Sequence, residues 1–275
     1  MFDLHVHAAP DVTDRRADDI DTVRAYVAAG YTGCVLKAHY ESTVGRAHTA
    51  GRDRPIRVVG GLALNQHTGG INPAAVEAAL RAGGRIVWLP TADAHTQETA
   101  GLPRLCGVAP RLPRQTYAIP PVDESTAGAV RQVCTLVAEA DAVLATGHLS
   151  AAEIAWLLPV AKAAGVRRLL LTHPSYTVPA MPARQAAQFC ADGAYAEITA
   201  FQLLHQPGAT PAMLAAFARE VGLDRVVLSS DTGQPDSPSA PEAIELLIDA
   251  LAGQGLDRKR LRACASDIPE SLVVA

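Results

Sequence analysis

The sequence predicts a single (β/α)8 barrel over residues 1–275. Short apolar runs alternate with helix-type runs along the chain, and eight of the apolar runs can be counted. They read as continuous apolar stretches rather than strict alternation, as parallel strands buried on both faces do. The length of 275 residues is close to the roughly 250 that one such barrel takes. A doubly wound open sheet is the main competitor. It would place a glycine-rich phosphate loop after the first strand, and "HVHAAPD" is not one.

The elements follow in order. "FDLHV" is the first strand, and "RADDIDTVRAYVAAG" the first helix, with Ile20, Val23 and Val27 near helical spacing and Gly30 as a stop. "TGCVLKAH" is the second strand, followed by a helix from Thr43, and "IRVVGGLALN" is the third. "NPAAVEAALRAGG" carries Asn72 as N-cap, Pro73 at the first helical position and Gly83 past the end. "RIVWLPT", "DAVLATGH", "RRLLLTH", "GAYAEITA" and "RVVLSSD" complete the eight strands. "TPAMLAAFAREVG" repeats the Thr-Pro start and Gly stop before the last. From about residue 93 to 123 the rhythm breaks into a Pro-, Gly- and Arg-rich stretch, read as a lid or substrate loop over the C-terminal mouth.

Composition excludes several function classes. The net charge is −4, the basic residues are scattered, and aromatics make up 4% of the chain. None of this builds a nucleic-acid surface or a base-stacking platform. No run approaches the roughly 20 apolar residues of a membrane span. "AAEIAWLLPVAKAAGVRRLLL" comes closest and is broken by Glu153, Lys162, Arg167 and Arg168. Asp3 and His5 interrupt any signal-peptide pattern at the start. The five cysteines, Cys34, Cys106, Cys134, Cys190 and Cys264, are odd in number and widely spaced. They read as reduced thiols of a cytoplasmic protein.

Barrel active sites lie at the C-terminal ends of the strands. Those ends carry His5 and His7 on strand one, Lys37 and His39 on strand two, and Asn65 on strand three, with Gln66 and His67 close behind. Thr91, Asp93 and His95 follow strand four. His148, His173, Glu197 and Asp231 mark strands five to eight. Seven of the nine histidines fall at or just past a strand end, a placement hard to reach by chance. Side chains two apart on a strand share a face, so His5 and His7 would aim two imidazoles into the mouth. Such a pair suits a borderline divalent metal.

The set "DLHVH", "TGHLS", "LLTHPS" and "LSSDTG" resembles the metal-dependent amidohydrolase superfamily, whose pattern it follows in order over the whole chain. Within it the sequence is similar to poorly characterised barrels with a "DLHVH…PD" start. The resemblance implies that His5 and His7 bind the more buried metal. Asp231 would bind the same ion and take a proton from the nucleophilic water. His148 and His173 would bind a second metal, or one would bind while the other contacts substrate. It further implies zinc, in one or two equivalents, with manganese as the alternative. Two-metal members often bridge their ions with a carboxylated lysine or a glutamate on strand four, but strand four here ends "VWLPT". Lys37 is left as an unusual bridging carbamate, an ammonium for an anionic substrate group or carbonyl, or a structural ion pair. The immediate start with strand one points to the phosphotriesterase-like and decarboxylase-like branches.

Of the remaining candidates, His39, Asn65 and His95 are expected to bind substrate, with Lys37; the alternatives are a hydrogen-bonded structural role for His39 and a cap on the following turn for Asn65. Asp11 would orient a ligand histidine or serve as a turn residue, and Glu197 would face the barrel or act as a core polar partner. Arg46, Arg104, Arg111 and Arg114 are candidates for carboxylate or phosphate recognition. The function expected is a metal-dependent hydrolase of a small, anionic molecule such as a lactone, amide, imine or phosphoester, acting as a homodimer without nucleic-acid or membrane partners. Two alternatives stand beside it: a mononuclear decarboxylase of an unsaturated acid, and a non-catalytic, metal-stabilised ligand-binding barrel.

Overall fold

The computed structural model describes residues 1–101 and 113–274. Eight parallel strands, each hydrogen-bonded to the next in sequence, form the sheet. They are β1 (Phe2–Val6), β2 (Gly33–Leu36), β3 (Arg57–Ala63), β4 (Ile86–Trp88), β5 (Val143–Ala145), β6 (Arg168–Leu171), β7 (Tyr195–Thr199) and β8 (Val226–Ser229). Between them run α1 (Asp19–Ala28), α2 (Val44–Gly51), α3 (Pro73–Arg81), α4 (His95–Thr99), α5 (Ala127–Glu139), α6 (Ala151–Ala163), α7 (Ala183–Ala191), α8 (Ala200–His205) and α9 (Pro211–Val221). After β8 come α10 (Ala240–Gly253), α11 (Arg258–Cys264) and α12 (Asp267–Val273). All eight expected strands are present, and the fold is a (β/α)8 barrel.

The caps expected from the sequence form. Asn72 accepts from the N–H groups of Ala74 and Ala75, and Thr210 accepts from Met213 N–H. Thr43 also starts a helix, but its hydroxyl is spent on the Leu36 carbonyl, 2.7 Å away, which ties α2 to the end of β2.

The core has two layers. Phe2, Leu4, Val35, Ala63, Ile86, Trp88, Val143, Ala145, Leu170 and Val227 fill the barrel. Leu272 and Val273 of α12 belong to the same cluster and plug its lower end. The larger cluster lies between strands and helices and includes Val6, Leu36, Val87, Leu144 and Leu228. A Cβ on Gly61 would come within 2.3 Å of the Ile86 carbonyl oxygen and 2.7 Å of the Trp88 ring. A bare backbone there makes room for the indole that fills the barrel beneath the site.

Strand β1 departs from simple alternation in a way that decides the site. Phe2 and Leu4 point into the barrel while Val6 packs outward, so strict alternation would turn His5 away from the interior. The β1–β2 register shifts between Asp3 and Val6. This irregularity turns His5 inward directly after Leu4, and His7 follows it two residues later.

The break in rhythm after β4 is real. Its described ends are clamped together where His95 N–H donates to Tyr117 O at 2.8 Å and Tyr117 N–H donates to Asp93 O at 2.9 Å. Glu153 at the start of α6 accepts from Ile119 N–H and from the Thr96 hydroxyl. Arg104, Cys106 and Arg111 lie outside the described residues. Among those described, no helix is long and apolar enough to cross a membrane.

Candidate metal centre

The seam between β8 and β1 builds the floor. Asp231 N–H donates to His5 O at 2.7 Å, His7 N–H donates to Thr232 O at 2.8 Å, and the Ser230 hydroxyl donates to His5 O at 2.8 Å. These bonds fix the backbone of both histidines against that of Asp231. The seam is tight: a Cβ on Gly233 would lie 2.1 Å from the His7 carbonyl oxygen. Asp231 and His173 hold positive φ angles of 50° and 26°. Such strain in non-glycine residues concentrates at functional sites.

One ligand atom from each of His5, His7 and Asp231 lies within 4.8 Å of the others. His5 Nε2 is 2.9 Å and His7 Nε2 3.3 Å from Asp231 Oδ1. Two imidazole nitrogens and a carboxylate oxygen suit a borderline divalent cation. The other face of His5 is also fixed, since its Nδ1 lies 3.1 Å from Glu197 Oε1. Burial works against a charged His5, but the Asp231 carboxylate, joined by Glu197, prevails and raises its pKa to about 9. Lys37 Nζ, 2.9 Å from His5 Nε2, opposes that proton without removing it. Burial also opposes ionisation of Asp231, yet the His5 charge and bonds from both histidines hold its carboxyl well below the usual range. The His5 proton thus supplies the positive charge that a cation would supply, and the residues fit a divalent metal.

The other buried histidines around the cavity, His7, His39, His148 and His173, are held neutral by burial. Burial pushes His7 down, helped by the Arg15 charge, and pushes His148 down, helped by His173. Burial takes His173 to about 4 although Asp231 pulls the other way. His148 Nδ1 lies 3.1 Å from Gln97 Oε1, so a neutral ring donates there and keeps the lone pair on Nε2. His148 and His173 rings meet edge to face at 5.0 Å, and His173 Nε2 is 3.9 Å from Asp231 Oδ2. They stand beside the triad rather than within its ligand distance.

A cavity of about 290 Å³ opens above this floor. His7, Lys37, His39, His148, His173 and Asp231 line it, together with Arg15 and the aromatic pair Tyr176 and Phe201.

Residues 1–197 match the profile of a family of unknown function, DUF6282. The chain belongs to that family. The matched stretch holds every candidate ligand except Asp231, which lies beyond it. No curated protein matches the sequence. In structure this DUF6282 chain is similar to an amidohydrolase from Pseudomonas aeruginosa, with a TM-score of 0.64 and 10% identity over 100% of this chain and 97% of that one. It is similar to an organophosphorus hydrolase from Deinococcus radiodurans, with a TM-score of 0.61 and 12% identity over 100% and 92%. It also resembles a 2,6-dihydroxybenzoate decarboxylase from Rhizobium, with a TM-score of 0.55 and 13% identity over 99% and 98%. At these identities the likeness establishes the shared barrel. The resemblance to the amidohydrolase superfamily read from the strand-end motifs is borne out at the level of the fold.

Two expected substrate contacts of the DUF6282 chain sit elsewhere. Asn65 is fully buried behind His39. Its amide donates to His39 O and Thr91 Oγ1, and its Oδ1 accepts from Thr91 N–H and Asp93 N–H. Every hydrogen-bonding group of that side chain is spent on holding three strand ends together. His95 lies at the start of α4, outside the cavity lining. Asp11 contacts no ligand histidine; it pairs with Arg15. Arg46 is bound to Asp19 and Glu41, and Arg114 to Glu98. Arg15, Tyr176, Phe201 and Gln97 were not singled out by motif. Each owes its place to the fold of a loop or short helix, which periodicity does not encode.

Proposed function

We propose that this chain is a metal-dependent hydrolase of a small, anionic molecule, such as a lactone, amide, imine or phosphoester. The observation that carries the reading is the convergence of His5, His7 and Asp231 on one floor, open to a cavity lined by three further neutral histidines, His39, His148 and His173. Three protein ligands leave a position for water or substrate, the arrangement of a catalytic rather than a closed structural site, which disfavours a purely scaffolding metal. A divalent cation held by His5, His7 and Asp231 would act as a Lewis acid and make water nucleophilic near neutral pH. Asp231, ionised and reaching the cavity, takes the proton of the attacking water and passes it to the leaving group. Lys37 stabilises negative charge developing on the substrate. His148 and His173, uncharged, hold the substrate or a second ion. The nitrogen-rich donor set favours zinc, with manganese second, and a cytoplasmic homodimer completes the proposal.

A second reading has its own support. Strand β4 ends at Trp88, is followed by Leu89 and Pro90, and offers no bridging carboxylate, and a single triad lies within ligand distance among the described residues. A mononuclear decarboxylase of an unsaturated acid would need no more. Metal content by elemental analysis, with lactone, amide, phosphoester and unsaturated-acid panels assayed against Asp231→Asn, separates the two. Near two equivalents and hydrolysis lost in the variant support the first. Near one equivalent with release of carbon dioxide supports the second. A protein that takes up no metal under saturating supply overturns both.

A further inference from the structure

The loop after β1 brings a buried cation to the cavity that neither the metal floor nor the fold needs. Arg15 Nε and Nη2 reach Asp11 Oδ2 at 2.7 and 2.6 Å, and Asp11 Oδ1 accepts from Val12 N–H at 2.6 Å. Both side chains are buried, 6% and 2% exposed. Taking such a pair out of water costs several kcal/mol per ion that an apolar pair would not, so stability alone does not account for it. Asp11 fixes the guanidinium plane through one edge. Among the described residues no hydrogen bond engages Nη1, and Arg15 lines the cavity. Its charge is felt at His7 and His39 on the floor. A guanidinium locked at one edge and presented at the other is the geometry that receives a planar oxyanion in two parallel hydrogen bonds.

Another part of the wall is aromatic. Tyr176 packs edge to face on Phe201 at 5.8 Å and on His173 at 5.3 Å. Tyr176 and Phe201 both line the cavity, offering ring surface to a flat apolar body. Asp14 and Asp231 share the lining, and their carboxylates penalise a second negative charge on the ligand.

We propose that Arg15, held by Asp11, is the anion-recognition residue of this cavity, and that the substrate is a small carboxylate on an aromatic or conjugated body. The inference rests on the cavity being the active site proposed above, and it narrows that site's substrate class.

The test uses the full chain loaded with zinc and probes it by calorimetry with benzoate, benzamide and phenyl phosphate. Metal content is measured separately on each variant. Benzoate is expected to bind the wild type at least about tenfold more tightly than benzamide. Arg15→Gln should weaken benzoate by about tenfold or more, leaving benzamide and the metal content unchanged. Arg15→Lys should recover part of the loss through charge alone, and Asp11→Asn should weaken benzoate while the guanidinium stays in place. Benzoate binding that is absent in the wild type, or unmoved in a folded Arg15→Gln or Arg15→Lys protein, overturns the proposal. Phenyl phosphate binding more tightly than benzoate overturns the carboxylate assignment. Benzoate binding that depends on Arg15 in a chain that takes up no metal keeps this inference and sinks the metal reading instead.

Discussion

Glu197 Oε1 lies 3.1 Å from His5 Nδ1, and its second oxygen, Oε2, accepts from His173 N–H at 3.2 Å. One carboxylate below the floor thus fixes the ring of a ligand from β1 and the backbone of a histidine after β6. Burial opposes its ionisation, but the His5 charge keeps its carboxyl below the ordinary range. Glutamine at this position can still face His5 with its oxygen, but its amide then turns a donor toward the His173 N–H. Outer partners of metal-bound histidines are typically worth ten- to a hundredfold in metal affinity. Glu197→Gln is expected to lower zinc affinity by about that factor, read by competition with a chromogenic chelator. Wild-type affinity in a folded variant would show that Glu197 does not orient His5.

Metal uptake is expected to release a proton. Despite burial, Asp231 holds the metal-free His5 pKa at about 9, so at pH 7 the ring is an imidazolium. Ligation requires the neutral ring. The sign follows: near pH 7 each metal bound expels about one proton from His5, and apparent affinity climbs with pH until about 9, where the release fades. Calorimetry in two buffers of different ionisation enthalpy counts the protons. No release at pH 7 would mean that His5 is already neutral, or is not a ligand.

Which features were legible beforehand has a physical reason. Parallel strands buried on both faces are apolar where both faces are covered, so β5 and the body of β6 show as "VLA" and "LLL" without any tertiary knowledge. Active-site side chains must stand at strand ends, so His148, His173 and Asp231 declared themselves by position. What stayed hidden depends on contacts between distant parts of the chain. The His5–Glu197 bond joins residues 192 apart, and no local period reports it. The register shift that turns both Leu4 and His5 inward is invisible to alternation. The sequence left Asn65 between substrate contact and turn cap because a polar residue at a strand end looks the same whether it faces a cavity or braces its neighbours.

Asp3 is expected to make stability pH-dependent in an unusual direction. Its carboxylate accepts from the Tyr26 hydroxyl at 2.5 Å, His5 N–H at 3.0 Å and Ser230 N–H at 3.1 Å. Burial outweighs these bonds and lifts its pKa from 3.8 to about 6. The folded protein therefore holds this proton more tightly than the unfolded chain. The contribution of Asp3 is most favourable below pH 4, is lost between about 4 and 6, and remains a cost of about 3 kcal/mol above that. Asp3→Asn removes the titration. Urea denaturation should show the variant gaining on the wild type as pH rises from 4 to 7. A constant offset across that range would place the Asp3 pKa near its ordinary value.

Asn65 distinguishes a brace from a ligand contact. The two donors and the oxygen of its amide make four bonds, at 2.7 to 3.1 Å, to His39, Thr91 and Asp93. Thr91 Oγ1 in turn lies 2.9 Å from His39 Nδ1. Alanine at 65 leaves the buried Thr91 N–H without its acceptor and withdraws the Asn65 acceptor from Asp93 N–H. Each such loss costs about 1–3 kcal/mol, so Asn65→Ala should lower unfolding free energy by about 2–4 kcal/mol. Metal content should hold at the wild-type value, because His5, His7 and Asp231 do not touch Asn65. If Asn65 served only to bind substrate, the unfolding midpoint would stay where it is in the wild type, and the brace between β2, β3 and β4 would have to be sought in Thr91 alone.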